Sequence, residues 1–206
     1  MNIEHTKLII DATKSQTLIV VTKNQTIEDV KSIYDLGIRN FGENKIQEII
    51  KKKDLFENVN WHFIGRIQSN KIKQMVENSV LIHSVNELRY FDIINKEAKK
   101  INKIQNCLIQ FNVAQEETKA GFNINEYEMI INHIKTLDNV SVQGIMLMGP
   151  HVEENEKINK VFKDGKELFD TINEIHPINI LSMGMSNDYN IAILNGATHL
   201  RIGSAL

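Results

Sequence analysis

Residues 18–36 read LIVVTKNQTIEDVKSIYDL, and this stretch contains the unit from which the fold can be predicted. Its first part, residues 18–22, is a run of apolar and β-branched residues that is typical of a buried parallel strand. From residue 27 to residue 36 the apolar residues recur at helical spacing instead. The stretch therefore predicts a strand followed by a helix, which is the repeating unit of a parallel sheet.

The same alternation recurs along the chain. Further strands are predicted at 38–41, 61–64, 80–83, 106–113, 142–148, 178–182 and 198–202, with helical sequence between them, most clearly at 153–175. Eight such units predict an α/β protein with a closed (β/α)8 TIM barrel. An open doubly wound sheet is the alternative, but no GxGxxG or GxxxxGK loop follows Val21, where that fold would need it.

The composition bounds the class of protein. The 206 residues are 42% hydrophobic, and we expect residues 1–206 to form a single domain. A formal net charge of −2 gives no bulk attraction to nucleic acid or to an anionic membrane. The single cysteine, Cys107, excludes an internal disulfide and a CxxC metal cluster. Neither a secretory signal nor a membrane span is recognisable, so we expect a cytoplasmic protein. We also expect a monomer.

The loops after the last two strands are the expected place for a phosphate group. In a (β/α)8 barrel the site lies at the carboxyl ends of the strands, with phosphates on the loops after strands seven and eight. Residues 182–188 and then Gly203 and Ser204 offer small residues, hydroxyls and backbone N–H groups, and a helix is predicted to begin near Ser186 or Asn187. Helix capping and a chain turn are the alternative, but two such loops at the two expected places favour a phosphate cradle.

A lysine and an arginine lie at the same end of the barrel. Lys23 directly follows the first strand, FGEN at 41–44 follows the second, and Arg201 immediately precedes the loop at Gly203. A lysine on its own would be a solvated charge at the end of a strand. An amine, a phosphate cradle and an arginine in one barrel mouth are what a pyridoxal 5′-phosphate (PLP) site requires, with the amine of Lys23 forming an imine.

Six motifs in this chain resemble those of the PLP homeostasis proteins. They are VTK at 21–23, FGEN at 41–44, HFIGRIQSNK at 62–71, KAGF at 119–122, LSMGMSND at 181–188 and LRIGSA at 200–205. The resemblance covers nearly the whole chain in order. It departs from the family at the ends, because only 17 residues precede Leu18 and the chain stops at Leu206. Which residues cover the seam between strands eight and one is therefore an open question.

The resemblance implies a barrel of the alanine racemase N-terminal type with covalently bound PLP. The residues that it implies for the cofactor are Lys23 for the imine, Ser182, Ser186, Gly203 and Ser204 for the phosphate, Arg201 for the pyridine nitrogen, and Asn44 as a neighbour of the ring or its phenolic oxygen. Lys119 is a weaker candidate. Met146 and Met148 either line the ring or pack in the core, and His62 is either a wall of the cofactor site or a core histidine.

Three functions remain open at this point, two with PLP and one without it. The first is a carrier that buffers PLP and hands it to apo PLP-dependent enzymes, without being an enzyme itself. The second is an amino-acid racemase, but racemases add a C-terminal domain with a catalytic tyrosine, and Arg201 beside the pyridine nitrogen makes the ring a weak electron sink. The third is a barrel that binds a phosphorylated sugar, which gives Lys23 no special role. We expect the carrier.

Overall fold

The computed structural model describes residues 3–116, 119–150 and 152–206. Eight parallel strands close into a barrel in chain order, which confirms the predicted (β/α)8 fold. The strands are β1 (Thr17–Val21), β2 (Asn40–Glu43), β3 (Asn60–Phe63), β4 (Leu81–Val85), β5 (Gln105–Gln110), β6 (Val140–Met146), β7 (Ile180–Ser182) and β8 (His199–Ile202). The helices are α1 (Ile3–Ala12), α2 (Ile27–Asp35), α3 (Ile46–Lys52), α4 (Ile72–Asn78), α5 (Leu88–Lys100), α6 (Tyr127–Ile134), α7 (Asn155–Ile175) and α8 (Tyr189–Leu194).

The first βα unit illustrates how the sequence forms these elements. In β1 the central residues Leu18, Ile19 and Val20 are all buried, as expected for a strand that is covered on both faces. Thr26 then caps α2, because its hydroxyl accepts a hydrogen bond from the backbone N–H of Asp29 while the Asp29 carboxylate accepts one from the backbone of Thr26. None of the helices within the described ranges is long and apolar enough to cross a membrane.

The barrel closes where β1 pairs with β8. Four consecutive residues of each strand are in register, from Thr17 opposite His199 to Val20 opposite Ile202. A closed barrel has no unpaired strand edge, so the first and last strands support each other. The seam that the sequence left open is therefore made by direct strand pairing, and Thr6 of α1 adds a hydrogen bond from its hydroxyl to the carbonyl of Leu206.

The second strand lies two residues later than the sequence predicts. The predicted strand covered 38–41, whereas β2 runs Asn40–Glu43 and pairs with β3 from Asn40 opposite Asn60 to Glu43 opposite Phe63. The FGE of the FGEN motif consequently belongs to the strand, and only Asn44 follows it. The other seven predicted strands overlap their observed counterparts, with ends that differ by up to three residues.

A buried ion pair explains how a glutamate can end β2. Glu43 is only 1% exposed, and its Oε1 accepts a hydrogen bond from the Lys52 ammonium at 2.6 Å and from the Thr22 hydroxyl at 2.5 Å. Lys52 also donates to the backbone carbonyl of Thr22 at 3.1 Å. A buried charge is tolerated when it is paired and hydrogen-bonded. The pair therefore joins the ends of β1 and β2 to helix α3.

The apolar core has two parts. The larger one lies between the barrel and the helices and includes Phe41, Ile49, Phe91 and Phe162, each of which is fully buried. The smaller one consists of Leu81, Leu108 and Met146, with Met148 and Ile180 packed against it. These residues come from alternate positions of neighbouring strands and fill one side of the barrel interior. The other side of the interior is polar, and it leads to the candidate site.

Candidate functional site

A cavity of about 870 Å³ opens at the carboxyl ends of the strands. Its lining comes from the ends of β1, β6 and β8, from the loops that follow β1, β2, β3, β6, β7 and β8, and from helix α7. Six of the seven site residues named from the sequence line it: Lys23, Asn44, Ser186, Arg201, Gly203 and Ser204. The structure thus brings together residues that are up to 181 positions apart in the chain.

Lys23 is the exposed amine at the mouth of this cavity. It follows Thr22, whose hydroxyl and carbonyl are both engaged by the buried pair of Glu43 and Lys52. The next residue, Asn24, has a φ of 61°, a left-handed conformation that asparagine tolerates better than most residues. The backbone before the lysine is therefore fixed from inside, while its side chain remains free to reach a ligand.

The loops after β7 and β8 are joined by Ser186. Its Oγ accepts hydrogen bonds from the backbone N–H of Gly203 at 3.3 Å and from that of Ala205 at 3.2 Å. Gly203 is closely packed, because an added Cβ would lie 3.0 Å from the carbonyl oxygen of Val21. The Ser186 hydroxyl and the first backbone N–H groups of the loop after β8 therefore lie together beside the cavity, as in the concave loops that bind anions.

The helix after this loop begins later than predicted. Helix α8 starts at Tyr189, not near Ser186 or Asn187, and has only six residues. The reason is the turn before it, in which the Asp188 carboxylate accepts a hydrogen bond from the backbone N–H of Met185 at 2.5 Å. Ser186 consequently does not cap the helix but links the two loops.

Ser182 does not lie on the cavity, in contrast to its predicted role as a phosphate contact. The residue is fully buried inside the barrel. Its Oγ accepts a hydrogen bond from Nη1 of Arg201 at 2.6 Å and lies 3.1 Å from Nδ1 of His83. Because it is the last residue of β7, the sequence places it at the strand end, but its side chain faces the interior beneath Arg201. We therefore leave Ser182 out of the phosphate contacts.

Arg201 lies between the barrel interior and the cavity. The residue is 5% exposed and lines the cavity, and its Nη2 donates to the backbone carbonyl of Leu147 at 3.0 Å. Burial lowers the pKa of Arg201 to about 10, while nearby Asp188 acts in the opposite direction. The guanidinium therefore stays protonated at neutral pH. Burial also raises the pKa of Asp188, which lines the cavity beside it.

His62 is a residue of the barrel interior and not a wall of the cavity. Its Nδ1 lies 3.0 Å from Nε2 of His83, and its Nε2 lies 3.3 Å from Oδ1 of Asn40. Burial lowers the pKa of His62 to about 3 and that of the half-buried His199 to about 4. It also holds the pKa of fully buried His83 well below its ordinary value. The sequence analysis missed His83, since only its place two residues after Leu81 marks it as inward-facing.

The remaining candidates divide between the cavity and its supports. Met146 and Met148 both line the cavity. Lys119 does not, because its ammonium donates to the carbonyl of Gly149 at 2.7 Å and to Glu116 at 2.9 Å. Asn44 is packed so closely that a Cβ on Gly65 would lie 1.9 Å from its carbonyl oxygen. Within the described residues there is no group of three or more side chains suited to hold a metal ion.

Comparison with known proteins places this geometry in context. The family model of the alanine racemase N-terminal domain matches residues 2–206. A pyridoxal phosphate homeostasis protein of Aquifex aeolicus is 37% identical over 92% of this chain and 85% of its own length. Among solved structures, PipY of Synechococcus elongatus with PLP bound is 27% identical, with a TM-score of 0.91 and 98% of both chains covered.

Alanine racemase itself shares the fold over part of its length. The structure of the enzyme from Clostridium difficile has a TM-score of 0.83 and 15% identity. The match covers 98% of this chain but only 55% of the racemase. At this identity the likeness concerns the barrel alone.

The buried histidines predict that the protein loses stability in mild acid. A histidine titrates near pH 6.5 in the unfolded chain, whereas burial keeps His62, His83 and His199 neutral in the folded state well below that pH. The unfolded state therefore takes up protons first, and stability falls as the pH drops below about 6.5, by about 1.4 kcal/mol per histidine at pH 5.5. Urea unfolding at pH 7.5, 6.5 and 5.5 measures this loss.

The variant His199→Gln is the internal control for this titration. It removes one of the three histidines, so the loss of stability between pH 7.5 and 5.5 should shrink by about a third. A free energy of unfolding that stays constant or rises over this range would contradict the prediction.

Proposed function

The chain belongs to the family of the alanine racemase N-terminal domain and to the pyridoxal phosphate homeostasis proteins, and from this premise we propose that it carries and buffers PLP on Lys23. The observation that carries the proposal is the meeting of six named residues around one cavity. The proposal treats residues 1–206 as one domain, a monomer in the cytoplasm that supplies apo PLP-dependent enzymes. The homeostasis name of its relatives and the PLP in PipY support it.

The residues of the loops after β7 and β8 fit the phosphate of PLP. Ser186 and Ser204 offer hydroxyls, and the backbone N–H of Gly203, which donates to Ser186 Oγ at 3.3 Å, would turn to the phosphate when it binds. A phosphate dianion is best bound by several such donors in a concave loop. We assign the phosphate to these three residues.

The ring and the aldehyde of the cofactor fit the rest of the lining. Arg201 is a cation whose N–H groups can only donate, so it suits the lone pair of an unprotonated pyridine nitrogen. Asn44 can donate to the phenolic oxygen of the ring, and Met146 and Met148 offer apolar surface for its face. Lys23 is the lining residue with a primary amine, which can bond covalently to the aldehyde. Bound PLP supplies a reversible carbonyl-amine linkage, which is the chemistry of storage and release.

Covalent attachment at Lys23 is the first prediction of this proposal. Because Lys23 is the amine on the cavity, borohydride treatment of the loaded protein should fix a pyridoxyl group on the peptide containing residue 23, as located by mass spectrometry. The variant Lys23→Arg keeps the positive charge but lacks a primary amine, so it should lose the yellow colour and keep the same circular dichroism spectrum. Labelling at Lys119, or at no lysine, would sink the assignment.

The phosphate assignment predicts which vitamer binds. Replacing Ser186 by Ala removes an oxygen that accepts from Gly203 and Ala205 and a donor for the phosphate. Hydrogen bonds to charged groups contribute roughly 1.5–3 kcal/mol each, so Ser186→Ala should weaken PLP binding about tenfold or more. Pyridoxal, which has no phosphate, should bind much more weakly to the wild type and should be little affected by the substitution. Equal titration curves for the two vitamers would remove this cradle from the proposal.

We further propose that the protein is a carrier and not a catalyst. Racemisation needs a base on each face of the ring, and two well-placed bases are required above all where the pyridine is a weak electron sink. Of the described residues that line the cavity, none is a tyrosine or a histidine, and Lys23 is the amine base. The carboxylates on the lining are Glu153 and Asp188, and Asp188 already accepts a hydrogen bond from the backbone N–H of Met185. Arg201 disfavours a proton on the pyridine nitrogen, because it remains a cation at neutral pH. We therefore expect that this barrel, although shared with alanine racemase, does not strongly promote removal of the α-proton from a bound amino acid.

A deuterium exchange experiment distinguishes the carrier from the racemase. Incubation of the loaded protein with L-alanine in deuterated water should give little α-deuterium and almost no D-alanine, as measured by mass spectrometry and chiral chromatography. When mixed with an apo PLP-dependent enzyme, the same protein should transfer its cofactor and restore the activity of that enzyme. Racemisation at about one turnover per second or faster, a rate ordinary for enzymes, would restore the racemase interpretation.

A further inference from the structure

A continuous chain of hydrogen bonds crosses the polar side of the barrel interior and ends on Arg201. It runs from the Arg201 guanidinium to Ser182, then to His83, to His62 and to Asn40. The contacts come from five different strands, β8, β7, β4, β3 and β2. Of the five residues, only Arg201 lines the cavity. Apart from Arg201, the hydrogen-bonded residues therefore lie beneath the site and contribute no surface to it.

The direction of every hydrogen bond in this chain follows from the chemistry of Arg201. A guanidinium can only donate, so Ser182 Oγ accepts from it. Ser182 is fully buried, and Nδ1 of His83 is the acceptor that lies within reach of its hydroxyl proton, so the hydroxyl donates to Nδ1. The one N–H of neutral His83 is then on Nε2 and donates to Nδ1 of His62. His62 in turn carries its proton on Nε2 and donates to Oδ1 of Asn40. One arginine thus determines the tautomers of two histidines.

The far end of the chain is also satisfied. Oδ1 of Asn40 accepts a second hydrogen bond from the amide of Asn60 at 3.1 Å, which fixes the orientation of the Asn40 amide. The charged and titratable groups that face the histidines are His199 and Arg201, and both lower the pKa of His83 in addition to its burial. With both histidines neutral, each has one donor and one acceptor nitrogen, as this series of hydrogen bonds requires.

We propose that His62 and His83, acting through Ser182, are positioning residues that hold the Arg201 guanidinium in one orientation toward the cavity. The inference rests on the proposed function in that Arg201 is the residue expected to meet the pyridine nitrogen. Arg201 has two acceptors, Ser182 Oγ and the carbonyl of Leu147. Ser182 keeps its hydroxyl oriented for Arg201 only while His83 accepts the hydroxyl proton. Loss of that acceptor leaves the buried O–H of Ser182 without a partner. The carbonyl of Leu147 is then the firm contact that remains to Arg201.

The first arm of the test uses the protein without cofactor. Nitrogen-15 NMR of histidine and arginine side chains should show His62 and His83 neutral with the proton on Nε2 from pH 5.5 to pH 8. The guanidinium signals of Arg201 should be resolved, because its rotation is restricted. A proton on Nδ1 of either histidine, titration of either within this range, or a freely rotating Arg201 would overturn the proposal.

The second arm compares substitutions of His83 that keep different parts of the ring. The oxygen of His83→Asn lies where Nδ1 was and still accepts from Ser182, whereas His83→Gln places its amide near Nε2 and His83→Leu keeps neither. His83→Asn should bind PLP within about twofold of the wild type and keep the Arg201 signals. His83→Gln and His83→Leu should bind about five- to tenfold more weakly, which corresponds to about 1–1.4 kcal/mol, and should lose those signals.

The matched control is Leu108→Ala in the apolar half of the same interior. Leu108 is fully buried, lies outside the hydrogen-bonded chain and does not line the cavity. It should lose stability in urea without losing PLP affinity or the Arg201 signals. If PLP affinity falls in proportion to stability in urea across all four variants, the histidines have only a structural role and the proposal is wrong. The same conclusion follows if His83→Asn behaves as His83→Leu does. If the wild type binds no PLP, the proposed function fails, while the first arm and the Arg201 signals still decide the positioning.

Discussion

The pairing of the first strand with the last is the constraint on which the site depends. Ile19 lies opposite Arg201, and this register places the end of β1 beside the loop that begins at Gly203. A slip of one residue would turn every side chain of a strand to its other face. Arg201 would then leave the barrel interior, and Lys23 would no longer face the Ser186 loop. Closure of the barrel therefore does more than remove two strand edges, because it assembles a site from both ends of the chain.

The sequence predicts the strands well because buried parallel strands leave a local signal. Runs of β-branched and apolar residues between helical patterns mark all eight of them. The bounds of β2 are the exception, because the predicted strand began at Ile38, which packs against the core from outside the observed strand. The position of β2 is set by its pairing with Asn60 and by the partner that Lys52 offers to Glu43. Both are contacts between distant parts of the chain, which no local pattern contains.

The same distinction separates the predicted site residues from those that were missed. Residues that follow a strand end must lie at the mouth of a parallel barrel, so Lys23, Asn44 and Gly203 could be located from strand order alone. The side chain of a strand's last residue can face either way, and Ser182 faces inward. Its contact with His83 joins residues 99 positions apart, so the spacing of motifs could not reveal it.

The two buried polar assemblies handle charge in different ways. Lys52 is held by the carboxylate of Glu43, so its charge is neutralised where it lies. Arg201 is held by a hydroxyl and a carbonyl, Ser182 Oγ and the oxygen of Leu147, which orient a guanidinium without cancelling its charge. A carboxylate in the place of Ser182 would hold Arg201 more tightly, but it would also reduce the field that Arg201 directs into the cavity. A chain of neutral acceptors therefore orients the buried cation from within the barrel without a carboxylate at that point, and Asp188, which acts on the charge of Arg201, lies on the cavity lining instead.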